Sequence, residues 1–478
     1  MQFISNIKLT EVMWFAVYAL DLYALLSVIT RGQGVERTLA WIFAILAFPG
    51  IGAIFYITLA TPSVKRTTKR KKISAKTISA LVRTRANIPP TDTTCMKESI
   101  LNLTTSLTGI PPSQGNLVSL LADDNLAFQR IEESLNNARK SIWAEYYIIR
   151  RDETGKRFLG ILTEKSREGV EVKLLYDALG SMGIDSKLLN KLKKAGGEVE
   201  AFLPLNPLRR RWSVHLRNHR KMIIVDGEIG YTGGMNVGDE YSGRARKKGM
   251  LVFQDTHLEL RGPAVGDLAI IFTEDWSFAT DKPLEPPHPP PPIKGASSIV
   301  AVVPSGPDQD VNANAMVYFS GISMARGRVL LTSPYFVPDE PTLQALISAA
   351  MRGVDVRILV PAISDVRLMR LAARSYYTEL LKAGVRIFEF QPSMLHAKTM
   401  VVDGIWGIVG SANVDIRSFR LNFEAGAVIF DTKFAVELEK RFYSDLEKSH
   451  EITLSQLARD SYLQRLSIGA VKLLSPLL

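Results

Sequence analysis

Two apolar runs open the chain, residues 12–29 (VMWFAVYALDLYALLSVI) and 39–59 (LAWIFAILAFPGIGAIFYITL). As helices they measure about 27 Å and about 32 Å, close to the ~30 Å hydrocarbon core of a bilayer. A signal peptide is the alternative for the first run. Against it, the apolar stretch is long, no small-residue cleavage site stands out, and a second run follows at once. The pattern predicts two transmembrane helices. Asp21 interrupts the first, either as a helix–helix contact or, the reading preferred from sequence, as a carboxyl held protonated or drawn toward water. Pro49 sits inside the second, where a kink is tolerated.

After Cys95 the pattern becomes that of a soluble protein, and it repeats. Ala138-Arg-Lys-Ser-Ile-Trp-Ala-Glu-Tyr-Tyr parallels Ala325-Arg-Gly-Arg-Val-Leu-Leu-Thr-Ser-Pro-Tyr. Arg167-Glu-Gly-Val-Glu-Val-Lys-Leu-Leu parallels Met351-Arg-Gly-Val-Asp-Val-Arg-Ile-Leu, a helix, a glycine at its C-terminal cap and an alternating strand. Leu192-Lys-Lys-Ala-Gly-Gly parallels Leu381-Lys-Ala-Gly-Val. Each half reads as β-α-β-α-β, so the fold class is α/β: two packed domains in a pseudo-two-fold repeat, with mixed sheets flanked by helices. The proline-dense stretch PLEPPHPPPP divides them as an extended linker. The expected organisation is a membrane anchor at 1–62, a basic juxtamembrane segment at 63–110, a first domain at 111–282, the linker at 283–294 and a second domain at 295–478.

Charge adds a location. The chain has 478 residues, of which 59 are Lys or Arg and 48 Asp or Glu, for a net charge of +11. That balance suits an anionic partner. Lys65, Arg66, Lys69, Arg70, Lys71, Lys72 and Lys76 follow the second apolar run with no acid among them. By the positive-inside rule they put the soluble region on the cytoplasmic side, and they can also hold anionic headgroups. Hydrophobic residues make up 46% of the chain, which excludes a mostly disordered protein, and a single cysteine, Cys95, excludes an intrachain disulfide and Cys-rich metal sites.

The chemistry lies in a doubled cluster. His219-Arg-Lys221-Met-Ile-Ile-Val-Asp226 is followed by Gly233-Gly234-Met-Asn236; His396-Ala-Lys398-Thr-Met-Val-Val-Asp403 is followed by Gly410-Ser411-Ala-Asn413. At ordinary residue frequencies, two chance matches to HxKxxxxD come to about 10⁻⁴. In extended chain, His and Lys two apart share one side and can reach one phosphate. The apolar MIIV and TMVV read as buried strands, each ending in Asp before a glycine turn, and Asn supplies an amide donor. Lysine is a poor metal ligand, so no metal or cofactor is implied.

The paired motif with its trailing Gly-Ser/Gly-Gly and Asn resembles the phospholipase D superfamily. Residues 219–241 and 396–424, the paired N-terminal runs with FPGIG (48–52) and the terminal SPLL are similar to the bacterial cardiolipin synthases, and the resemblance covers essentially the whole chain. It implies two phospholipase D-like domains behind two transmembrane helices in the bacterial inner membrane, with phosphatidylglycerol and anionic lipids as partners and no nucleic acid. It also implies phosphatidyl transfer through a covalent phosphohistidine, two phosphatidylglycerols giving cardiolipin and glycerol. By that match His219 attacks and His396 moves the proton, although the two motifs are nearly symmetric. Lys221, Lys398, Asn236 and Asn413 would bind phosphate oxygens, and Asp226 and Asp403 would complete the motif as structural support. Candidate acids to orient the histidines are Asp255 for His219 and Glu424 for His396, each with a solvated strand-end charge as its alternative. Arg209, Arg210, Arg211, Arg217 and Arg220 read equally as headgroup capture or as a solvated basic loop, and Arg417 is a further candidate. Tyr335 and Phe336 fit the core better than a pocket, and His215 and His257 read as structural. A different acceptor, a nuclease and a non-catalytic scaffold are the other readings. The apolar runs count against the nuclease, and the intact motifs against the scaffold.

Overall fold

The computed structural model describes residues 9–30, 35–57, 95–205, 213, 215–243 and 251–474. The seven-residue basic cluster between 65 and 76, Arg209, Arg210, Arg211 and the terminal SPLL lie outside them. The chain divides into two units, Met1–Thr67 and Thr68–Leu478.

In the first unit the helix Leu9–Thr30 contains Val12–Thr30, the only segment among the described residues that is long and apolar enough to cross a membrane. The second apolar run is not one continuous helix. It forms Val35–Ala47, breaks at Phe48-Pro49-Gly50 and resumes as Ile51–Phe55. Thirteen residues reach only about 20 Å, short of a hydrocarbon core. The break has a partner. Gly50 adopts φ +76°, and its N–H donates to both carboxylate oxygens of Asp21, at 2.9 and 3.1 Å. Asp21 is therefore the helix–helix contact, the first of the two readings from sequence, and it is buried rather than drawn toward water. A side chain on Gly52 would lie 2.3 Å from the carbonyl oxygen of Ala44, so FPGIG is a close-packed corner.

In the second unit the first half carries β1 (Ser113–Leu121), β2 (Ser141–Tyr146), β3 (Glu171–Asp177), β4 (Glu198–Phe202), β5 (Arg217–Asn218), β6 (Met222–Val225), β7 (Ile229–Gly233), β8 (Phe253–Gln254) and β9 (His257–Arg261). The second half carries β10 (Ser298–Ser305), β11 (Arg328–Thr332), β12 (Phe336–Val337), β13 (Asp355–Pro361), β14 (Arg386–Phe390), β15 (Met394–Leu395), β16 (Thr399–Val402), β17 (Trp406–Gly410), β18 (Val414–Asp415), β19 (Asn422–Phe430) and β20 (Ser449–Ile452). The halves repeat one topology. In the first the order is β4-β3-β2-β6-β7-β9-β1, and in the second β14-β13-β11-β16-β17-β19-β10. The outer three strands of each are parallel and the rest antiparallel. β1 pairs antiparallel with β10, so the two sheets fuse into one, and β20 adds an edge strand on β14.

Helices cover this sheet because their first turns are capped where the sequence puts Asp or Asn. Asp123, Asp152 and Asp185 in the first half, and Asn312, Asp339 and Asp431 in the second, each accept a backbone N–H from the following turn. Two apolar cores result, one per half, and Tyr335 packs against both. The linker runs without regular structure, and Pro292 lies against β1 so closely that a side chain on Gly115 would stand 2.6 Å from it.

The turns that close β6 and β16 match in detail. Asp226 and Gly227 have φ +54° and +70°, and Asp403 and Gly404 +55° and +67°, the left-handed pair of a type I′ turn. The Asp226 carboxylate accepts N–H groups of Arg139, Lys140 and Ser141 at 2.7–3.1 Å; that of Asp403 accepts those of Arg326, Gly327 and Arg328 at 2.7–2.9 Å. Each Asp thus pins the entry of a parallel strand to the far end of the hairpin, a four-residue strand (about 13 Å) from its histidine and lysine. The backbone N–H bonds to Asp226 keep its pKa below the ordinary value, against partial burial. Asp226→Ala removes the acceptor of three backbone N–H donors and places Ala at positive φ, which should cost about 2 kcal/mol. Asp226→Asn keeps one accepting oxygen and tolerates the backbone, so it should cost less. Equal midpoints of thermal unfolding for wild type and Asp226→Ala would refute the pinning role.

Candidate active site

His219 and Lys221 lie in the extended stretch between β5 and β6, His396 and Lys398 between β15 and β16, just outside the regular strands. What fixes these stretches is the other half of the molecule. β5 runs parallel to the start of β19, Arg217 beside Asn422 and Asn218 beside Phe423, and β15 runs parallel to β8, Met394 beside Phe253 and Leu395 beside Gln254. The N–H of His219 then donates to the Phe423 carbonyl at 2.8 Å, and that of His396 to the Gln254 carbonyl at 2.7 Å. The next residues on those partner strands are Glu424 and Asp255.

The acids are therefore exchanged. His219 Nδ1 lies 2.8 and 3.0 Å from the Glu424 oxygens, and His396 Nδ1 lies 2.6 Å from Asp255 Oδ2. The sequence identifies both acids but pairs each with the histidine of its own half, and the structure reverses that pairing. Both acids are fully buried, and both are held below their ordinary pKa by the cations and N–H groups around them, against burial. A carboxylate only accepts, so each Nδ1 carries the proton and each Nε2 holds the lone pair. For both imidazoles burial outweighs the carboxylate, and the pKa falls to about 4. Each ring is neutral near pH 7.

The lysines are buried as well. Lys221 Nζ donates to the His219 carbonyl at 2.6 Å and stands over the Tyr147 ring. Lys398 Nζ bonds the His396 carbonyl and lies 2.7 Å from the ring's Nδ1. Because that Nδ1 already donates to Asp255, the acceptors left for Lys398 are the carbonyl and the ring's Nε2, at 3.2 Å. Desolvation lowers the pKa of Lys221 well below its ordinary value and that of Lys398 to about 8. Lys398 depresses both Lys221 and His219, and Lys221 depresses His396, so the two motifs share one electrostatic centre. A pocket that sheds protons when empty is one that an anion would recharge.

The surroundings differ between the two rings. The Tyr147 ring packs edge-on to His219 at 4.7 Å, and among the described residues His219 Nε2 has no protein hydrogen bond. His396 is enclosed by Phe253, Tyr241 and Tyr335, at 5.1, 5.5 and 6.4 Å. Tyr335 is held by a 2.7 Å bond to Asp365, so it lines the site while Phe336 is core. Asn236 donates Nδ2 to Tyr241 and accepts the Ile148 N–H, whereas the buried Oδ1 of Asn413 has no partner among the described residues. Ser411 donates to Glu424 at 2.5 Å; its counterpart is glycine because a side chain on Gly234 would meet Asp255 at 2.1 Å. Sequence reasoning missed Tyr147, Tyr241 and Ser411; of these only Ser411 left a signal, as the S of the GSxN pattern.

The arginines near the first motif are neither headgroup capture nor a solvated loop where they are described. Arg220 is buried in an ion pair with Asp275 at 2.5 Å and donates to the carbonyls of Glu424 and Ser305. Arg217 is buried against its own loop, and Arg417 donates to the His215 carbonyl. His257 is fully buried in β9. Among the described residues no three His, Cys, Asp or Glu side chains gather as metal ligands would.

Comparison with known proteins agrees along nearly the whole chain. The profile of the family described as "Cardiolipin synthase, PLD-like domain" matches residues 131–276 and 318–446, and that of "Phospholipase_D-nuclease N-terminal" matches 19–60. A cardiolipin synthase of Halalkalibacterium halodurans is 36% identical over 450 residues, 92% of this chain and 89% of the relative. One of Clostridium perfringens is 36% identical over 456 residues, 93% and 94% of the two chains. The crystal structure of a phosphatidylserine synthase of Haemophilus influenzae superposes with a TM-score of 0.61 at 17% identity, over 80% of this chain and all of that one, and supports the fold alone.

Two measurements check the electrostatics. In Glu424→Gln the ¹⁵N signals of His219 should lose the fixed Nδ1–H tautomer while those of His396 keep it, and Asp255→Asn should do the reverse; the opposite result would restore pairing within each half. Stability should also depend on pH. His219, His257 and His396 titrate near 4 when folded against about 6.5 unfolded, so their contribution is complete above pH 6.5 and is lost as pH falls toward 4. A flat unfolding midpoint across that window would contradict the buried neutral imidazoles.

Proposed function

The chain belongs to the bacterial cardiolipin synthases of the phospholipase D superfamily, and from that membership we propose how its residues transfer a phosphatidyl group. It is a phosphatidyltransferase of phospholipid biosynthesis that joins two phosphatidylglycerols into cardiolipin and releases glycerol. The observation that carries the residue assignment is the pair of neutral imidazoles, each oriented by a carboxylate from the opposite half, around two buried lysines.

In the first step His219 Nε2, oriented by Glu424, attacks the phosphorus of one phosphatidylglycerol. The P–O bond to glycerol breaks, and His396, in its protonated form, gives the leaving oxygen its proton. Entry of the anionic phosphodiester favours that protonated form, because it offsets the lysine charges that lower the His396 pKa. Lys221 and Lys398 draw the non-bridging oxygens and stabilise the charge that builds up in the transition state. In the second step neutral His396 takes the proton from a glycerol hydroxyl of another phosphatidylglycerol. That oxygen attacks the phosphorus, the N–P bond breaks, and cardiolipin leaves with His219 restored. His219 is the nucleophile because its Nε2 is unencumbered, whereas His396 is walled in by three aromatic rings. Asn413, with its unpaired Oδ1, suits a glycerol hydroxyl donor; Asn236 holds Tyr241 against His396 and has one amide proton to spare for phosphate.

The enzyme is membrane-associated, as an apolar N-terminal helix and lipid substrates require. The finer arrangement is part of the proposal: two passes through the inner membrane, the second a helix broken at Pro49 and Gly50, with the catalytic region on the cytoplasmic face beside the seven basic residues that follow.

Expression in a bacterium without its own cardiolipin synthases tests the transfer. Wild type should accumulate cardiolipin; His219→Ala and His396→Ala should lower the rate at least by the ~10²–10⁴ of a lost proton carrier. With headgroup-proximal ³²P-phosphatidylglycerol, protein-bound label should form in His396→Asn and not in His219→Asn. Label in His219→Asn alone would reverse the assignment, and phosphatidic acid as sole product would make water the acceptor.

A further inference from the structure

The helix Arg367–Lys382 and the C-terminal helix Tyr462–Leu474 enclose a groove of about 500 Å³ outside the active site. Three arginines line it. Arg370 and Arg374 pair with Glu389 and Asp460, and Arg367 has no ion-pair partner among the described residues. The C-terminal helix has apolar residues on two faces. Val471 is buried, and Ile468 turns into the groove. Tyr462, Leu463 and Leu466 point outward, 78%, 71% and 56% exposed, with Arg465 beside them in sequence. On the opposite wall Ile363 is also exposed, and so is Val366 close by in the chain.

A large exposed apolar set bordered by arginine is costly in water and favourable at a bilayer surface, where Leu and Tyr enter the headgroup layer and basic side chains meet lipid phosphates. The site is also tied to the chemistry. The loop 362–366 forms one wall of the groove, and Asp365 in that loop holds Tyr335, whose ring packs on His396.

We propose that this groove and the outer face of the C-terminal helix form an interfacial docking surface for an anionic bilayer, with Tyr462, Leu463 and Leu466 immersed and Arg367 and Arg370 on lipid phosphates. The inference rests on the reading of the chain as an enzyme of lipid substrates. Docking here sets the loop beside His396 at the headgroup plane, so that a lipid reaches the histidines without leaving the membrane entirely.

The test uses the full chain with Cys95→Ser, carrying a fluorophore at Leu463→Cys or Leu466→Cys. Met351→Cys is the reference, because Met351 is exposed and precedes β13 whereas the loop 362–366 follows it, at the strand's other end. The protein is reconstituted into phosphatidylcholine vesicles with or without phosphatidylserine, an anionic lipid outside the proposed reaction, so the readout does not depend on turnover. Headgroup-nitroxide lipids should quench both helix sites about threefold more than Met351→Cys. Phosphatidylserine should increase that quenching, and Arg367→Glu with Arg370→Glu should abolish the increase. Equal quenching at all three sites, or a helix site shielded from aqueous iodide yet not quenched by lipid, as a protein partner would make it, overturns the proposal. If the helix sites are immersed but no cardiolipin forms, docking stands and the catalytic reading fails.

Discussion

Two short hydrogen bonds, Glu424 to His219 and Asp255 to His396, run between the halves of the soluble region, and the site exists only because they do. A buried imidazole without its carboxylate can rotate and change tautomer, and a buried carboxylate without its partner is an unpaired charge costing several kcal/mol. Neither half can supply a competent histidine alone. The exchange follows from backbone pairing: β5 must lie on β19, and β15 on β8, before either acid reaches its ring. Catalytic geometry and domain docking are one constraint.

The two-fold relation is not complete, and the departures indicate a division of labour. In the first motif the residue between His and Lys is Arg220, buried against Asp275 beneath Glu145; in the second it is Ala397. Glu145 lies opposite Met222 on β6, the register that Thr332 occupies opposite Thr399. Burial and the neighbouring Asp275 push the Glu145 pKa up, against the opposing pull of the Arg220 guanidinium. The first motif thus rests on a polar network that also reaches the carbonyls of Glu424 and Ser305, while the second rests on apolar packing and aromatic rings. The polar floor lies under the histidine proposed to bond phosphorus.

Much of this was legible in the sequence because it is local. The repeat, the strands MIIV and TMVV, the Asp-Gly turns and both acids follow from periodicity and residue chemistry. Three readings failed for one reason: the deciding partner is remote in sequence. The acids were matched within each half because nothing in a linear pattern reveals the exchange. Arg220 read equally as headgroup capture or as part of a solvated loop because its partner Asp275 lies 55 residues on. For Asp21 the helix–helix contact was the less favoured of two readings because its acceptor role needs the broken backbone at Gly50.

The seam between β1 and β10 has a consequence for biogenesis. On the ribosome the first half emerges before the second, and its sheet then ends in the open edge of β1. Unpaired edges recruit foreign strands, and slow long-range pairing prolongs the danger. β10 arrives shortly after the proline-rich linker, which cannot itself form a competing central strand. Its pairing covers β1 but leaves β10 as the open edge until β19 arrives more than a hundred residues later, so the sheet stays exposed along its middle until the second half is nearly complete.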